Sequence, residues 1–312
     1  MKAPDFWTKR GLPAQLLRPF SLITRIATAR RVSRPGFAPG IKVICIGNAG
    51  VGGSGKTIVA LDVLWRIPGA FALTRGYGGS LAGPVLVNRS VHTAELVGDE
   101  ALLLSEMAPT VVAQDRAAGA RLALAEEATA IVMDDGLQNP TLQKNLSLLV
   151  IDGGYGFGNG LLLPAGPLRE PVAAAAARCQ AAVLIGEDET GALKALPPDF
   201  PVLRAALVPE CAEPLERRRV IAFAGIGRPE KFFRSVLSLG AEIIDHHAFP
   251  DHHAYTTRDM TALFAEAANA GAQLVTTEKD YVKLPAPLRK ACIVVRAKLC
   301  WEDTEALEKL LR

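Results

Sequence analysis

The residues with the clearest chemical meaning form a glycine-rich loop. The segment GVGGSGKT, residues 50–57, matches the pattern GxxxxGK[ST]. In such a loop the glycines let backbone N–H groups surround phosphate oxygens, the lysine reaches the β- and γ-phosphates, and the final hydroxyl holds Mg²⁺. We therefore predict a nucleotide site made by Gly50, Gly52, Gly53, Ser54, Gly55, Lys56 and Thr57.

Two adjacent carboxylates, Asp134 and Asp135, end the apolar segment ATAIVMDD. An apolar strand that delivers an acid at its carboxyl end is how P-loop proteins place a carboxylate near Mg²⁺. By itself the pattern is weak, since many buried strands end in aspartate, but a P-loop upstream makes it credible. Thr57, Asp134 and Asp135 are the predicted magnesium ligands.

Four of the five histidines crowd the segment DHHAFPDHHAY, residues 245–255. Such a cluster suits a metal site, an acid–base device or a polar loop without chemistry. Zinc sites usually draw ligands at helical or knuckle spacing, and these two HH pairs offer neither, so zinc binding is kept only as a third hypothesis. We expect His246 and His247 at the end of a strand, without a catalytic part.

The P-loop needs a strand before it and a helix after it. Residues 41–46 are a β-branched apolar run typical of a buried parallel strand, and TIVALDVLWRI continues as a helix. The segments AFALT, TVVAQ and RAAGARLALAEEA add further alternating units. We predict an α/β fold, a P-loop NTPase-type α/β/α sandwich with a mostly parallel sheet.

Composition separates the N-terminus from the rest of the chain. The net charge of the 312 residues is +3, yet residues 1–34 hold eight Lys or Arg against one acid, and the remainder holds 27 basic and 31 acidic residues. A slightly acidic body without a recognition motif argues against nucleic acid. Five scattered cysteines without a CxxC pair argue against a disulfide framework and for a reducing compartment.

Residues 1–34 are expected to lie on an anionic membrane surface. On a helix, an apolar face is opposed by Arg18 and Arg25, and the apolar face holds Leu16, Phe20, Ile23 and Ala27. Leu22 and Ile26 blur this stripe, and the alternative is a helix packed on its own domain. No apolar run approaches the roughly 20 residues that cross a bilayer.

Several further segments stand in a recognisable order. They are LTRGYGG (73–79), LVGDEALLL (96–104), MDDGLQNP (133–140), NGLLLPAGPLREP (159–171), AFAGIGRPEKFF (222–233), FPDHHAY (249–255) and TTEKDYVK (276–283). With the P-loop and the basic start, the series closely resembles the tetraacyldisaccharide 4′-kinase family. The resemblance implies phosphorylation of the 4′-hydroxyl of the lipid A disaccharide 1-phosphate, with ATP and Mg²⁺. It also implies two α/β/α domains around a cleft, the second smaller, and a peripheral enzyme on the cytoplasmic face of a Gram-negative inner membrane.

The resemblance also implies site residues. In this family the aspartate of VGDE and the histidine of PDHH accept the hydroxyl proton, which here are Asp99 and His252. The choice of His252 over His253 rests on its position in the motif. Without the resemblance, Asp99 is equally suited to cap a helix. Candidate substrate-binding residues are Arg75, Tyr77, Gln138, Asn139, Arg169 and Glu170.

The chain departs from the family pattern at three positions. Leu137 and Asn139 stand where phenylalanine and histidine are common, which puts any acid–base role at 139 in doubt. Ile58 replaces a proline after the P-loop, which is a minor packing change because the phosphate-binding atoms precede it.

A proline-bearing charged stretch, residues 208–219, is the expected domain break. The predicted units are the membrane segment 1–34, a P-loop kinase domain 35–212, and a smaller domain 213–312 that closes the cleft and supplies His252. The alternative function is a membrane-associated P-loop ATPase switch that recruits a protein partner. Partitioning ATPases have lysine where this chain has Val51, and the GTPase [NT]KxD spacing fails at residues 277–280, so the switch is disfavoured and no obligate protein partner is expected.

Overall fold

The computed structural model describes residues 4–312, apart from the side chain of Ala286, so that Lys2 of the predicted basic segment lies outside the described residues. The strands are β1 (Lys42–Gly47), β2 (Ala70–Thr74), β3 (Val85–Leu86), β4 (Thr110–Val112), β5 (Ala130–Asp134), β6 (Leu146–Asp152), β7 (Ala181–Ile185), β8 (Val202–Cys211), β9 (Arg219–Ala224), β10 (Glu242–Ala248), β11 (Gln273–Thr277) and β12 (Cys292–Trp301).

Helices alternate with these strands along most of the described chain. They are α1 (Leu12–Leu17), α2 (Ser21–Val32), α3 (Lys56–Arg66), α4 (Ala94–Val97), α5 (Asp99–Met107), α6 (Arg116–Ala125), α7 (Val172–Ala176), α8 (Pro229–Ser238), α9 (Thr257–Ala270), α10 (Glu278–Tyr281), α11 (Ala286–Arg289) and α12 (Thr304–Leu311). Short 3₁₀ turns cover Asp5–Thr8, Arg18–Phe20 and Ala192–Ala195.

The strands join into one sheet in the order β10-β9-β11-β12-β8-β7-β6-β1-β5-β2-β4-β3. Neighbours are parallel except at β12–β8 and β3–β4, so the predicted α/β fold with a mostly parallel sheet is confirmed. The P-loop strand β1 lies between β5 and β6. Because these strands are parallel, the loops after β1 and β5 leave the same edge of the sheet, which is where ligands of such folds bind.

Strand β8 connects the two predicted domains. Its first residues pair with β7 in parallel, and its later residues pair with β12 in the antiparallel direction. The last part of the chain returns to the P-loop half: Leu299, Trp301 and Leu307 pack into the core beneath α3, and the Trp301 indole donates to Asp62, 3.0 Å away. The boundary at 212/213 stays a prediction.

The N-terminal helices dock through polar side chains. The hydroxyls of Ser21, Thr24 and Thr28 donate to the carbonyls of Leu162, Leu163 and Arg169 at 2.7–3.0 Å. The predicted apolar face points away from the protein, with Leu16, Phe20 and Ile23 exposed to 73%, 56% and 67%. Among the described residues no helix is long and apolar enough to cross a membrane.

Candidate active site

The P-loop connects β1 to α3, whose first residue is Lys56. Gly55 precedes the helix with φ of 84°, and a Cβ there would lie 2.6 Å from Ile185 Cδ1, so glycine is required at this turn. The Ser54 hydroxyl accepts a hydrogen bond from the Asn48 amide at 3.0 Å. The first N–H groups of a helix have no partner within the helix, so the start of α3 next to this loop suits a phosphate.

The two predicted carboxylates lie beside the P-loop. The Thr57 hydroxyl donates to Asp134 Oδ2 at 2.9 Å, and the Lys56 ammonium lies 3.8 Å from Asp135 Oδ1. The structure therefore brings together the three predicted magnesium ligands and the P-loop lysine, although residues 57 and 134 are far apart in the chain.

The Asp134 carboxylate has one oxygen available to bind a cation. Its Oδ1 is buried and has no hydrogen-bond partner among the described residues. Burial, together with the charge of Glu100, raises the pKa of Asp134 from 3.8 to about 7. Mg²⁺ prefers hydroxyl, carboxylate and water oxygens, so the donor set of Thr57, Asp134 and Asp135 fits this ion.

Arg169 is the main partner of Asp135. Its Nη1 and Nη2 donate to the two carboxylate oxygens at 2.9 and 3.0 Å, a bidentate pair. Burial acts to raise the pKa of Asp135, but Lys56 and Arg169 outweigh it and lower the pKa. Asp135 has φ of 52°, a strained conformation for a residue with a side chain. Arg169 thus keeps the carboxylate of Asp135 ionised and fixed next to the P-loop.

Two other predicted substrate-binding residues lie behind Arg169. The Gln138 amide donates to Glu170 Oε1 at 2.8 Å and its oxygen accepts from Arg169 at 3.2 Å. Glu170 is buried and also accepts from Arg178. These contacts indicate support of Arg169, and direct contact of Gln138 and Glu170 with substrate stays a prediction.

Asn139 forms a turn. Its side-chain oxygen accepts from the backbone N–H and the hydroxyl of Thr141 at 2.9 and 2.8 Å. An Asx turn of this kind is common for asparagine. The side-chain oxygen of Asn139 is therefore already engaged within this turn. Contact of Asn139 with the substrate stays a prediction.

Asp99 and His252 meet although they are 153 residues apart. Asp99 Oδ2 lies 2.8 Å from His252 Nδ1. Asp99 is the first residue of α5 and its Oδ1 accepts from the Glu100 N–H at 2.9 Å, while Gly98 occupies the N-cap position. The side chain therefore faces His252 and does not cap the helix.

The loop after β10 directs His252 toward Asp99. His252 has φ of 60°, and its N–H donates to the Gly225 carbonyl at 3.2 Å. The left-handed backbone at this residue, and not the extended loop expected from the sequence, separates His252 from His253. Burial acts to raise the pKa of Asp99, yet the hydrogen bond from His252 and the charge of Lys279 lower it on balance.

Tyr77 packs against His252 of this pair, and Arg75 lies two residues before Tyr77 in the chain. The Tyr77 ring centroid is 5.6 Å from that of His252, and both Tyr77 and Arg75 are exposed. Tyr77 is therefore free to contact a molecule that approaches His252, while contact of Arg75 with the substrate stays a prediction.

The remaining histidines of the cluster have separate partners. His246 packs on Phe233 with ring centroids 4.7 Å apart. His253 lies 3.2 Å from Asp259 and stacks on Phe249. His247 is 2.8 Å from Glu266. Together with Asp245 they are the one group of three His, Cys, Asp or Glu residues within 4–312 whose ligand atoms lie close enough to share an ion. The four imidazoles therefore do not converge on one metal.

Sequence reasoning missed two cations near the site. Lys279, in α10, lies 3.4 Å from His252 Nε2. Arg228 donates to the P-loop carbonyl of Gly53 at 3.1 Å and to Asp152 at 2.6 Å. Both belong to motifs noted in the sequence, but no spacing rule connects residue 228 to residue 53 or residue 279 to residue 252.

Comparisons with known proteins agree along the chain. A family model described as tetraacyldisaccharide-1-P 4′-kinase matches residues 13–312. Relatives named tetraacyldisaccharide 4′-kinase from Gluconacetobacter diazotrophicus, Rhodospirillum centenum and Methylorubrum extorquens are 52%, 51% and 51% identical. Each alignment covers 100% of this chain, and 97%, 96% and 98% of the relatives.

A solved structure is similar over nearly the same length. It is described as an "apo" form of LpxK from Aquifex aeolicus in complex with ATP. The two chains are 27% identical with a TM-score of 0.78, and the match covers 96% of this chain and 98% of the other.

Proposed function

The chain belongs to the tetraacyldisaccharide-1-phosphate 4′-kinase family, and we propose that the phosphoryl group passes from ATP to the substrate hydroxyl in the space between the P-loop and the Asp99–His252 pair. It is an ATP-dependent kinase of the lipid A precursor, as the resemblance implied. The alternative of a partner-recruiting ATPase switch is not favoured, because relatives that match the whole chain are named as kinases.

The observation that supports the proposed site is the 2.8 Å contact between Asp99 and His252. Glu100, next to Asp99, is close enough to raise the pKa of Asp134, so the pair and the P-loop face one site. The proton of the 4′-hydroxyl passes to the pair, the oxygen forms a bond to the γ-phosphorus, and the bond to the β–γ bridging oxygen breaks to release ADP. General-base assistance of this kind is worth roughly 10²–10⁴-fold.

The nucleotide side of the reaction is electrostatic. Lys56 and the backbone N–H groups of residues 52–57 bind the phosphates, while the Val51 N–H donates to the Pro167 carbonyl at 2.8 Å. Arg169 holds Asp135 in place. Mg²⁺, held by Thr57, Asp134 and Asp135, would neutralise charge that develops on the transferred phosphoryl group. Arg75 and Tyr77 are the proposed contacts to the sugar and the 1-phosphate, because a guanidinium is a bidentate phosphate donor.

Residues 1–34 are proposed to bind an anionic membrane surface. In a water-soluble helix the apolar face packs inward, whereas here the polar stripe of Ser21, Thr24 and Thr28 does so. Leu16, Phe20 and Ile23 remain exposed, next to exposed basic residues at Arg18 and Arg25. Such a surface suits the plane of a bilayer, and the substrate is a lipid, so we place the enzyme on the cytoplasmic face of the inner membrane.

One assay tests the activity and the pair together. Purified protein with Mg-ATP and detergent-solubilised tetraacyldisaccharide 1-phosphate should give the bisphosphate. Asp99→Asn and His252→Gln should lower kcat by about 10²–10⁴-fold, while ATP binding stays unchanged. His253→Gln is the matched control, because this neighbour contacts Asp259 and should keep nearly full activity. Absence of product from the native protein, or full activity of Asp99→Asn, would contradict the proposal.

A further inference from the structure

Lys279 lies against the proposed catalytic pair, yet neither the P-loop chemistry nor the membrane segment explains it. We propose that Lys279 is a positioning residue that keeps Asp99 and His252 in the one protonation state that can accept the substrate proton. The inference rests on the proposed role of the pair.

The donor and acceptor capacities of the three side chains specify a single tautomer. An ionised carboxylate only accepts hydrogen bonds, so His252 Nδ1, 2.8 Å from Asp99 Oδ2, must carry the proton. An ammonium only donates, so a hydrogen bond from Lys279 Nζ to His252 Nε2, 3.4 Å away, requires the lone pair of Nε2. The tautomer that satisfies both contacts is the neutral imidazole with Nδ1–H directed at Asp99.

Lys279 remains an ammonium despite its partial burial. Its Nζ lies 3.8 Å from an oxygen of each of three carboxylates, Asp99, Glu100 and Asp251. Burial acts to lower the pKa of Lys279, but the charges of these carboxylates outweigh it and raise the pKa. The side chain therefore cannot act as the base itself, and its effect is that of a fixed donor and positive charge.

The backbone of Gly225 holds Lys279 and His252 at a constant separation. The Gly225 carbonyl accepts from the His252 N–H, and the Gly225 N–H donates to Asp280 Oδ2 at 3.0 Å. Asp280 follows Lys279 in α10 and is also bound by Thr277 and by Lys283, at 2.7 Å each. Gly225, in the loop between β9 and α8, thus binds both the loop after β10 that holds His252 and the helix α10 that holds Lys279.

Without the lysine, the pair would gain a proton before substrate arrives. Asp251 Oδ2 lies 3.8 Å from His252 Nε2 and would stabilise a proton there once the opposing ammonium is removed. A doubly protonated imidazole beside Asp99 has no capacity left for the 4′-hydroxyl proton. The groups that face Asp99 are the His252 imidazole and the ammonium groups of Lys279 and the more distant Lys283, so removal of Lys279 takes away much of the positive charge that opposes protonation.

The test measures the tautomer and the pH profile of the same variants. With five histidines in the chain, side-chain ¹⁵N resonances can be assigned to His252 by loss of a signal in His252→Gln. At neutral pH the native protein should show a protonated Nδ1 and an unprotonated Nε2, and Lys279→Met should show protonation at both nitrogens. In Lys279→Met, the acidic limb of the pH profile of kcat should move to higher pH by about one unit, because one adjacent charge shifts a pKa by roughly that amount. Lys279→Arg should restore the native limb.

Two controls separate positioning from general damage. Arg296→Met removes the partner of Glu278 in the same short helix, 3.0 Å away, and should leave the tautomer and the profile unchanged. Lys279→Gln keeps a donor without the charge and serves if Lys279→Met does not fold. A neutral Nδ1–H tautomer and an unshifted acidic limb in folded Lys279→Met or Lys279→Gln would overturn the proposal. The tautomer needs no substrate, so failure of the native protein to phosphorylate lipid would refute the proposed function separately.

Discussion

Adjacent carboxylates at the end of β5 have opposite electrostatic roles. Asp134 is buried with an oxygen that lacks a partner, and its pKa is raised by burial and by Glu100. Asp135 is paired twice with Arg169, and its pKa is lowered. The difference arises because Asp135 has a left-handed backbone, so that the Asp134 side chain contacts Thr57 and the Asp135 side chain contacts the Arg169 guanidinium.

This contrast predicts stability changes of opposite sign in metal-free protein. The cost of ionising Asp134 in the folded state is absent at low pH, grows as pH rises from 3.8, and is complete above about 7. Asp134→Asn should therefore stabilise the protein at pH 8 by roughly 1–3 kcal/mol, with little effect at pH 4. Thermal unfolding in EDTA at both pH values measures this.

Asp135→Asn serves as the matched comparison for that prediction. Because the pKa of Asp135 is lowered on folding, its contribution to stability is present above its ordinary pKa and is lost as pH falls. This variant should be less stable than the native protein at pH 8, and the deficit should shrink in acid. Equal destabilisation by both substitutions would contradict the conclusion that ionised Asp134 destabilises the metal-free protein.

At the scale of elements, the N-terminal helices pack on the protein through a polar face and expose their apolar face, the reverse of what is usual for a helix of a water-soluble protein. Hydroxyl groups on α2 bind the carbonyls of the loop 159–171, and one of these carbonyls belongs to Arg169. The element that we propose to contact lipid is therefore hydrogen-bonded to the residue that clamps Asp135. The sequence showed the two faces of α2, but not which face would pack on the protein.

Substitution of the outward face should weaken membrane binding without loss of fold. The double change Phe20→Ser and Ile23→Ser should reduce partition onto anionic vesicles by on the order of 100-fold or more, because each side chain contributes about 1.5–3 kcal/mol on burial. Thermal stability should be unchanged, since both residues are exposed in water. Vesicle sedimentation measures the partition.

Thr24→Val tests the opposite face of the same helix. It removes the hydrogen bond to the Leu163 carbonyl and should lower the free energy of unfolding by about 1 kcal/mol, while vesicle binding persists. If Thr24→Val abolished binding and the apolar pair did not, the orientation proposed for the segment would be wrong.

At the scale of the whole molecule, one sheet passes through both predicted domains. The antiparallel pair β8–β12 joins them, and residues 299–311 pack on the P-loop half. A second connection is Arg228, which reaches the P-loop from the half that holds His252. Arg228 therefore links the P-loop to the half of the molecule that holds His252.

Loss of the Arg228 connection should be visible in the P-loop itself. Arg228→Met removes the bonds to Gly53 and Asp152, and should raise hydrogen exchange in residues 50–56 and lower kcat/KM for ATP by roughly 10-fold, as expected for a hydrogen bond to a charged group. Lys231→Met is the control, because Lys231 contacts Asp152 but not the P-loop. Equal effects of both variants would show that Asp152, and not the P-loop contact, is what matters.

The sequence by itself determined the local chemistry. The P-loop, the carboxylates after β5 and the alternating pattern of strands were predicted because each depends on residues close together in the chain. The series of motifs also predicted the family, and the Asp99–His252 pair followed from that resemblance.

Only the tertiary structure decided which distant side chains meet. Burial raises the pKa of Asp134, whereas Lys56 and Arg169 lower that of Asp135. Left-handed backbone turns His252 and not His253 toward Asp99, and packing brings Lys279 and Arg228 to the site. The orientation of α2 was decided by the carbonyls that its hydroxyls could reach. These outcomes depend on distances across a folded sheet, and a linear sequence does not contain such distances until the chain has packed.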